Sequence, residues 1–133
     1  MTEWTEERLI ESGYKITNAK IMFVDLSMKD YGCLTLSIGL YGSGWGCVYG
    51  GYSLGSGYVG ADEFEGLANG MESAMRIMDV VGADRINDMT DMYVRVAKGK
   101  CGEPIKIIGH IIKDKWFDIE SFFEDKEKEA NNG

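Results

Sequence analysis

Apolar and polar residues alternate most clearly between Cys33 and Leu40. Four apolar side chains occupy every second position there: Leu34, Leu36, Ile38 and Leu40. A period of two predicts a strand of an antiparallel sheet with one buried face. Similar runs of apolar, aromatic and β-branched residues predict four further strands, at residues 14–26, 45–54, 92–97 and 105–112.

A different period follows the third predicted strand. Between Asp62 and Val81 the apolar residues recur every three or four positions, which predicts one long amphipathic helix. Asp62 is a suitable N-cap and Gly82 a suitable end. The predicted core-facing stripe comprises Phe64, Leu67, Ala68, Met71, Ala74, Met75, Met78 and Val81.

These elements predict an α+β fold: a mostly antiparallel sheet of about five strands with one long helix on one face. The predicted order is β-β-β-α-β-β, with short helical segments near both ends. Residues 14–124 form the predicted domain, residues 1–13 an N-terminal appendage, and residues 125–133 an acidic tail that frays.

The net charge of the chain limits the classes of partner that we expect it to bind. The 133 residues include 14 Lys plus Arg and 22 Asp plus Glu, a net charge of −8. This argues against direct nucleic-acid binding, which needs a basic surface, and favours a basic protein partner. The sequence contains neither a long apolar run nor a secretory signal, so we expect no membrane association. Three irregularly spaced cysteines predict reduced thiols in a cytosol.

One glycine-rich segment matches a ligand-binding pattern. Residues 55–60 fit G-x-G-x-x-G, so the candidate nucleotide ligands are Gly55, Ser56, Gly57 and Gly60. Asp62, Glu63 and Glu65 follow closely, however, and would repel phosphate. We therefore favour a flexible loop before the helix and keep nucleotide binding as an alternative.

Catalytic chemistry has little support in the sequence. His110 is the only histidine, and the most economical interpretation places it on the exposed face of a strand. The cysteines lack the spacing of metal or redox motifs. We therefore predict no catalytic residue, no metal site and no cofactor.

Aromatic residues are interleaved with glycines between residues 42 and 60. Such residues either pack beneath the helix or anchor a protein interface, and both interpretations stay open. The candidate partner-binding residues are the aromatic Trp45, Tyr49, Tyr52 and Tyr58 and the acidic Asp62, Glu63 and Glu65.

Several segments resemble small proteins of phages and prophages of Gram-positive gut bacteria. They are residues 81–96 and 107–118, the pentapeptide Ile16-Thr17-Asn18-Ala19-Lys20 and the tripeptide Gly50-Gly51-Tyr52. The resemblance covers most of residues 14–124 and brings no catalytic motif with it. It implies a viral origin and the cytosol of the host cell as the setting.

The resemblance and the charge together predict a non-enzymatic inhibitor of a bacterial defence system. We expect an anti-CRISPR-type protein that binds a Cas effector through an acidic and aromatic surface. The alternatives are a sponge for a nucleotide immune signal and a small enzyme, the latter supported by His110 alone. The sequence leaves open whether the chain forms a homodimer.

Overall fold

The structure is a computed structural model that describes residues 3–57, 63–100 and 102–132. Within these ranges the fold is α+β, with a seven-stranded antiparallel sheet and three α-helices. The elements in chain order are α1 (Glu6–Glu11), β1 (Lys15–Asp30), β2 (Cys33–Gly42), β3 (Trp45–Ser56), β4 (Glu65–Gly66), α2 (Ala68–Val81), a 3₁₀ helix (Ile86–Met89), β5 (Tyr93–Lys98), β6 (Ile107–Gly109), β7 (Trp116–Asp118) and α3 (Ile119–Asn132).

The sheet has the strand order β4-β3-β2-β1-β5-β6-β7, and every neighbouring pair is antiparallel. The long strand β1 lies at its centre. The first residues of β1 pair with β5, and from Lys20 onward β1 pairs with β2. Met22 is an extra residue in β1, because Ile21 pairs with Leu40 and Phe23 with Gly39. Such a bulge lets so long a strand bend between its two partners.

Helices cover both faces of the sheet. Ile77 of α2 and Phe122 of α3 belong to the main core, together with Ile108 of β6. The adjacent Ile107 instead packs with Leu9 of α1 in a second, smaller cluster. Because successive side chains of a strand point to opposite faces, α1 lies on the face opposite α2 and α3.

The α+β class and the antiparallel sheet are confirmed, but the predicted element count is too low. Strands β4 and β7 have two and three residues, too few to produce a recognisable alternation. The predicted strand at residues 105–112 is extended only over Ile107–Gly109. A second 14-residue helix, α3, ends the described chain. It continues to Asn132 through residues that were expected to fray.

Helix α2 differs from the predicted helix in its start and in its buried face. It begins at Ala68, and its N-cap residue Leu67 makes no side-chain capping bond. Asp62, the predicted cap, lies outside the described residues. The end at Gly82 is confirmed: this residue is left-handed, with φ 88°. The buried positions of the helix are Gly70, Ser73, Ile77, Val80 and Val81.

The predicted core stripe of α2 is therefore largely wrong. Met71 and Met75 are exposed, whereas Gly70 is buried. A Cβ atom on Gly70 would overlap the carbonyl oxygen of Ser53 and lie 2.6 Å from the Cα of Leu54. Small residues thus allow α2 to approach β3 closely, and the larger methionines turn to solvent. A helix face that is buried because its small residues let two backbones come close together cannot be recognised from the hydrophobicity of its residues alone.

Candidate functional site at strand β4 and helix α2

Tyr49 is not an interface anchor, contrary to the prediction. Its side chain is 0% exposed, and its hydroxyl donates a hydrogen bond to the carbonyl oxygen of Phe117 at 3.0 Å. Burial, and secondarily the neighbouring Asp118 carboxylate, raises the pKa of Tyr49 well above its ordinary value. This residue joins β3 to β7 through the core and is inaccessible to a partner.

The other predicted aromatic anchors are also engaged within the chain. Tyr52 is half-buried, and its ring stacks on Phe123 of α3 with centroids 4.3 Å apart. Trp45 is half-buried, and the Nζ atom of Lys98 lies 4.7 Å from the centre of its ring. The packing interpretation therefore accounts for both residues. Tyr58 lies outside the described residues.

We predict that Tyr49→Phe lowers the free energy of unfolding by about 1–2 kcal/mol, because it removes a buried hydrogen bond while keeping the ring. Chemical denaturation followed by tryptophan fluorescence measures the change. Tyr31→Phe is the matched control, since Tyr31 is fully exposed. Equal stability of the two variants would contradict a structural role for the Tyr49 hydroxyl.

The glycine-rich segment packs against its own chain. Gly55 and Ser56 belong to β3 and pair with Gly66 and Glu65 of β4. A Cβ atom on Gly55 would lie 2.7 Å from the carbonyl oxygen of Glu65. At Gly57 the same atom would lie 2.7 Å from Cε of Met28 and 3.0 Å from Cε1 of Phe64.

This arrangement differs from a phosphate-binding turn. Helix α2 begins eleven positions after Gly57, so Gly55, Ser56 and Gly57 do not lead directly into its N-terminus. Gly60 lies outside the described residues. Close packing under β4, Met28 and Phe64 explains why positions 55 and 57 need glycine.

Exposed apolar side chains collect where β4 meets α2. Met28 and Phe64 both lie over Gly57, while Leu67, Met71 and Met75 follow one another every four residues, along one line of α2. Phe64 is 69% exposed, Met71 51% and Met75 60%. We call these five residues the β4–α2 surface: Met28, Phe64, Leu67, Met71 and Met75. A group of large exposed apolar residues is typical of an interaction site.

Carboxylates border this surface. Glu63 and Glu65 flank Phe64 and are both exposed. Glu72, one position after Met71, is already paired: it accepts a hydrogen bond from Arg76 at 2.8 Å and lies 3.4 Å from the Nζ of Lys126. The bond from Arg76 is the main cause that holds the pKa of Glu72 below its ordinary value. Among the described acids beside Phe64, Glu63 and Glu65 therefore carry the charge available to a partner.

His110 stabilises a turn. It follows β6 and is half-buried, and its Nδ1 accepts hydrogen bonds from the backbone N–H groups of Ile112 and Lys113, both at 3.0 Å. Burial first, and then the charges of Lys113, Lys115 and Arg95, lower the pKa of His110. Within residues 3–57, 63–100 and 102–132, no carboxylate, hydroxyl or thiol hydrogen-bonds to its ring. The imidazole is thus committed to the β6–β7 turn.

Two further candidate properties concern metals and membranes. In the described part of the chain, no three His, Cys, Asp or Glu side chains come close enough together to hold a metal ion. None of the helices in those ranges is long and apolar enough to cross a membrane.

Comparison of the chain with protein-family models, with curated proteins and with solved structures gives no match. The likeness to phage proteins rests on the segments named above, so a viral origin stays an expectation.

The residues of the β4–α2 surface were missed because the sequence pattern placed most of them in the core. One feature of the sequence, Gly70, indicated a different buried face for the helix. A glycine in the middle of a helix costs about 1 kcal/mol, so Gly70 needed a packing reason. Placing Gly70 on the buried face leaves Met71 and Met75 on the exposed one.

Proposed function

We propose that this chain is a non-enzymatic protein that binds a basic protein partner through the β4–α2 surface. The observation that supports the proposal most directly is Phe64, which is exposed between Glu63 and Glu65 and lies beside Met28 over Gly57. The resemblance to phage proteins supplies the biological setting. In that setting the partner is a bacterial defence protein such as a Cas effector, and the chain is its inhibitor in the host cytosol.

The chemistry of the surface suits protein recognition. Burying a Phe or Met side chain contributes about 1.5–3 kcal/mol, and flexible methionines adapt to the shape of a partner. The two glutamates add long-range attraction to a basic partner, which accelerates association. The complementary partner surface is an apolar pocket bordered by Lys and Arg, as at the edge of a nucleic-acid-binding groove.

The glycine-rich segment and His110 both have structural roles, which favours a protein partner over a nucleotide. Gly55, Ser56 and Gly57 pack against β4, Met28 and Phe64, and this packing accounts for the glycines that suggested a nucleotide sponge. His110 holds a turn, so the observation that suggested a small enzyme also has a structural explanation.

A binding titration against purified, guide-loaded Cas effectors tests the proposal. We expect the double variant Met71→Asp/Met75→Asp to weaken binding at least tenfold while its unfolding midpoint stays close to that of the wild type. The control is Ile112→Asp, which places the same charge on another exposed apolar residue, outside the surface. This control should bind like the wild type.

Salt dependence tests the acidic border separately. Wild-type affinity should fall as salt rises, because exposed charges are screened. Glu63→Lys/Glu65→Lys should slow association and reduce or reverse this dependence. Affinity that is independent of salt, or unchanged in the Met71→Asp/Met75→Asp variant, would contradict the proposal. Purified protein that binds no effector but carries a nucleotide, seen as excess ultraviolet absorbance, would replace it with the sponge.

A further inference from the structure

Strand β3 forms an open edge of the sheet along most of its length. Its neighbour β4 pairs only with Gly55 and Ser56. Leu54 is also occupied, because its carbonyl oxygen accepts a hydrogen bond from the N–H of Leu67 at 3.0 Å. Within the described ranges, no other strand lies beside residues 45–51 on that side. Among the described residues, their outward backbone groups therefore have no strand partner and can pair with another strand.

Between Trp45 and Tyr49 this edge lacks the usual protection against pairing. The sequence of β3, WGCVYGGYSLGS, contains no charged residue and no proline. Proteins normally protect an exposed edge with lysine, proline, a bulge or a very short strand. The opposite edge follows that rule: β7 has three residues and ends with Asp118. The open part of β3 ends at a bulge at Gly50 and Gly51, with φ values of 91° and 84°, and a second irregularity in the pairing with β2 lies at Leu54, next to β4.

The bulge limits the regular part of the edge to five residues. The regular segment begins at Trp45, directly after the turn that contains Gly44, and ends at Tyr49, before the bulge. Its central residue is Cys47. A strand that pairs antiparallel with a second copy of itself about a two-fold axis places its own centre on that axis.

From this geometry we infer that two copies of the chain associate through their β3 edges, antiparallel and centred on Cys47. Each copy carries a charge of −8, so two copies repel wherever their charged surfaces meet. The uncharged β3 edge is a place where they approach without opposing like charges. The register also fits sterically, because the exposed Val48 of one copy lies opposite Gly46 of the other.

The second copy is favoured over a foreign strand because the segment is complementary to itself. In the register centred on Cys47, the larger Val48 of one copy lies opposite the small Gly46 of the other on the outer face. On the inner face the two Cys47 side chains lie opposite each other. A five-residue edge is short, so we expect a dimer that forms with rising concentration. The β4–α2 surface takes no part, and this inference stands whether or not the proposed function is correct.

Sedimentation velocity over a range of concentrations tests the inference. The wild-type mass should rise from 14.8 kDa towards twice that value. Val48→Glu should keep the protein monomeric, because it places a charge on the edge without burying it. Ile112→Glu changes the net charge equally at a site remote from β3 and should dimerise like the wild type. Met71→Asp/Met75→Asp should also dimerise, which separates this test from that of the proposed function.

The register is tested by cross-linking. Opposite residues of antiparallel strands have Cα atoms about 4.5–5.5 Å apart, within the range of about 4.4–6.8 Å that a disulfide spans. Air oxidation with copper phenanthroline should therefore link Cys33→Ser/Cys101→Ser, which retains Cys47, into a covalent dimer. Cys47→Ser should not form one. A wild type that stays monomeric at all concentrations, or a dimer that survives Val48→Glu, would overturn the inference.

Discussion

Ile77→Asp is expected to unfold the domain, whereas Met71→Asp, six positions earlier on the same helix, is expected to leave it folded. Ile77 is 1% exposed and lies in the main core, so its replacement buries a carboxylate with no partner. Changes of this kind belong to the rare class that costs more than about 4 kcal/mol. The total stability of a domain is about 5–15 kcal/mol.

At Met71 the same substitution is expected to change the stability of the domain much less. The side chain is half in solvent, and its position near the start of α2 favours a negative charge. We expect a change of less than about 1 kcal/mol. Circular dichroism with thermal melting separates the two outcomes. If Met71→Asp unfolds and Ile77→Asp melts like the wild type, the buried face of α2 has been assigned to the wrong side.

Gly70→Ala is expected to lower the free energy of unfolding by about 1–3 kcal/mol, although alanine favours a helix over glycine by about 1 kcal/mol. The added methyl group would overlap the carbonyl oxygen of Ser53, a backbone atom that cannot rotate away. Helix α2 would have to move off β3, which loosens the packing of Ile77 and Val80.

The neighbouring Asn69 provides the control. It is exposed in the same helical turn, so Asn69→Ala should be neutral or slightly stabilising through helix propensity alone. Chemical denaturation of both variants gives the comparison. Equal stabilisation by the two alanines would mean that α2 does not approach β3 as closely as described.

The parts of the fold that follow one strong local pattern could be predicted from the sequence. β2 alternates over its length, and the apolar residues Leu36, Ile38 and Leu40 that the alternation selects are buried, although Thr35 and Gly39 of the opposite face are buried as well. The end of α2 at Gly82 was also predictable, since glycine readily adopts the left-handed conformation that a helix end requires.

The parts that depend on tertiary contacts could not be predicted. α3 has only three apolar residues near its start, namely Ile119, Phe122 and Phe123, followed by charged residues. It is held by contacts such as the stacking of Phe123 on Tyr52, which no local pattern encodes. β4 exists because Glu65 and Gly66 meet the end of β3, not because two residues have a strand propensity.

The candidate site was predictable only in its acidic border. Glu63 and Glu65 were selected for their charge, and they are exposed. Tyr49 was selected because glycines surround it in sequence, but its neighbours in space are a carbonyl group and the core. Exposure of an aromatic residue depends on which strands and helices cover it, so composition along one strand cannot determine it.

The central place of β1 in the sheet has a consequence for the order of folding. The pairing of β1 with β2, and of β2 with β3, needs only short turns, so this three-stranded meander forms early and locally. Its pairing with β5 must wait, because β2, β3, β4 and α2 all lie between Lys20 and its partner Tyr93. Closing so long a loop slows folding. During synthesis on a ribosome, the first five residues of β1 pair with no strand other than β5, so they stay without a strand partner until residues 93–98 have been made.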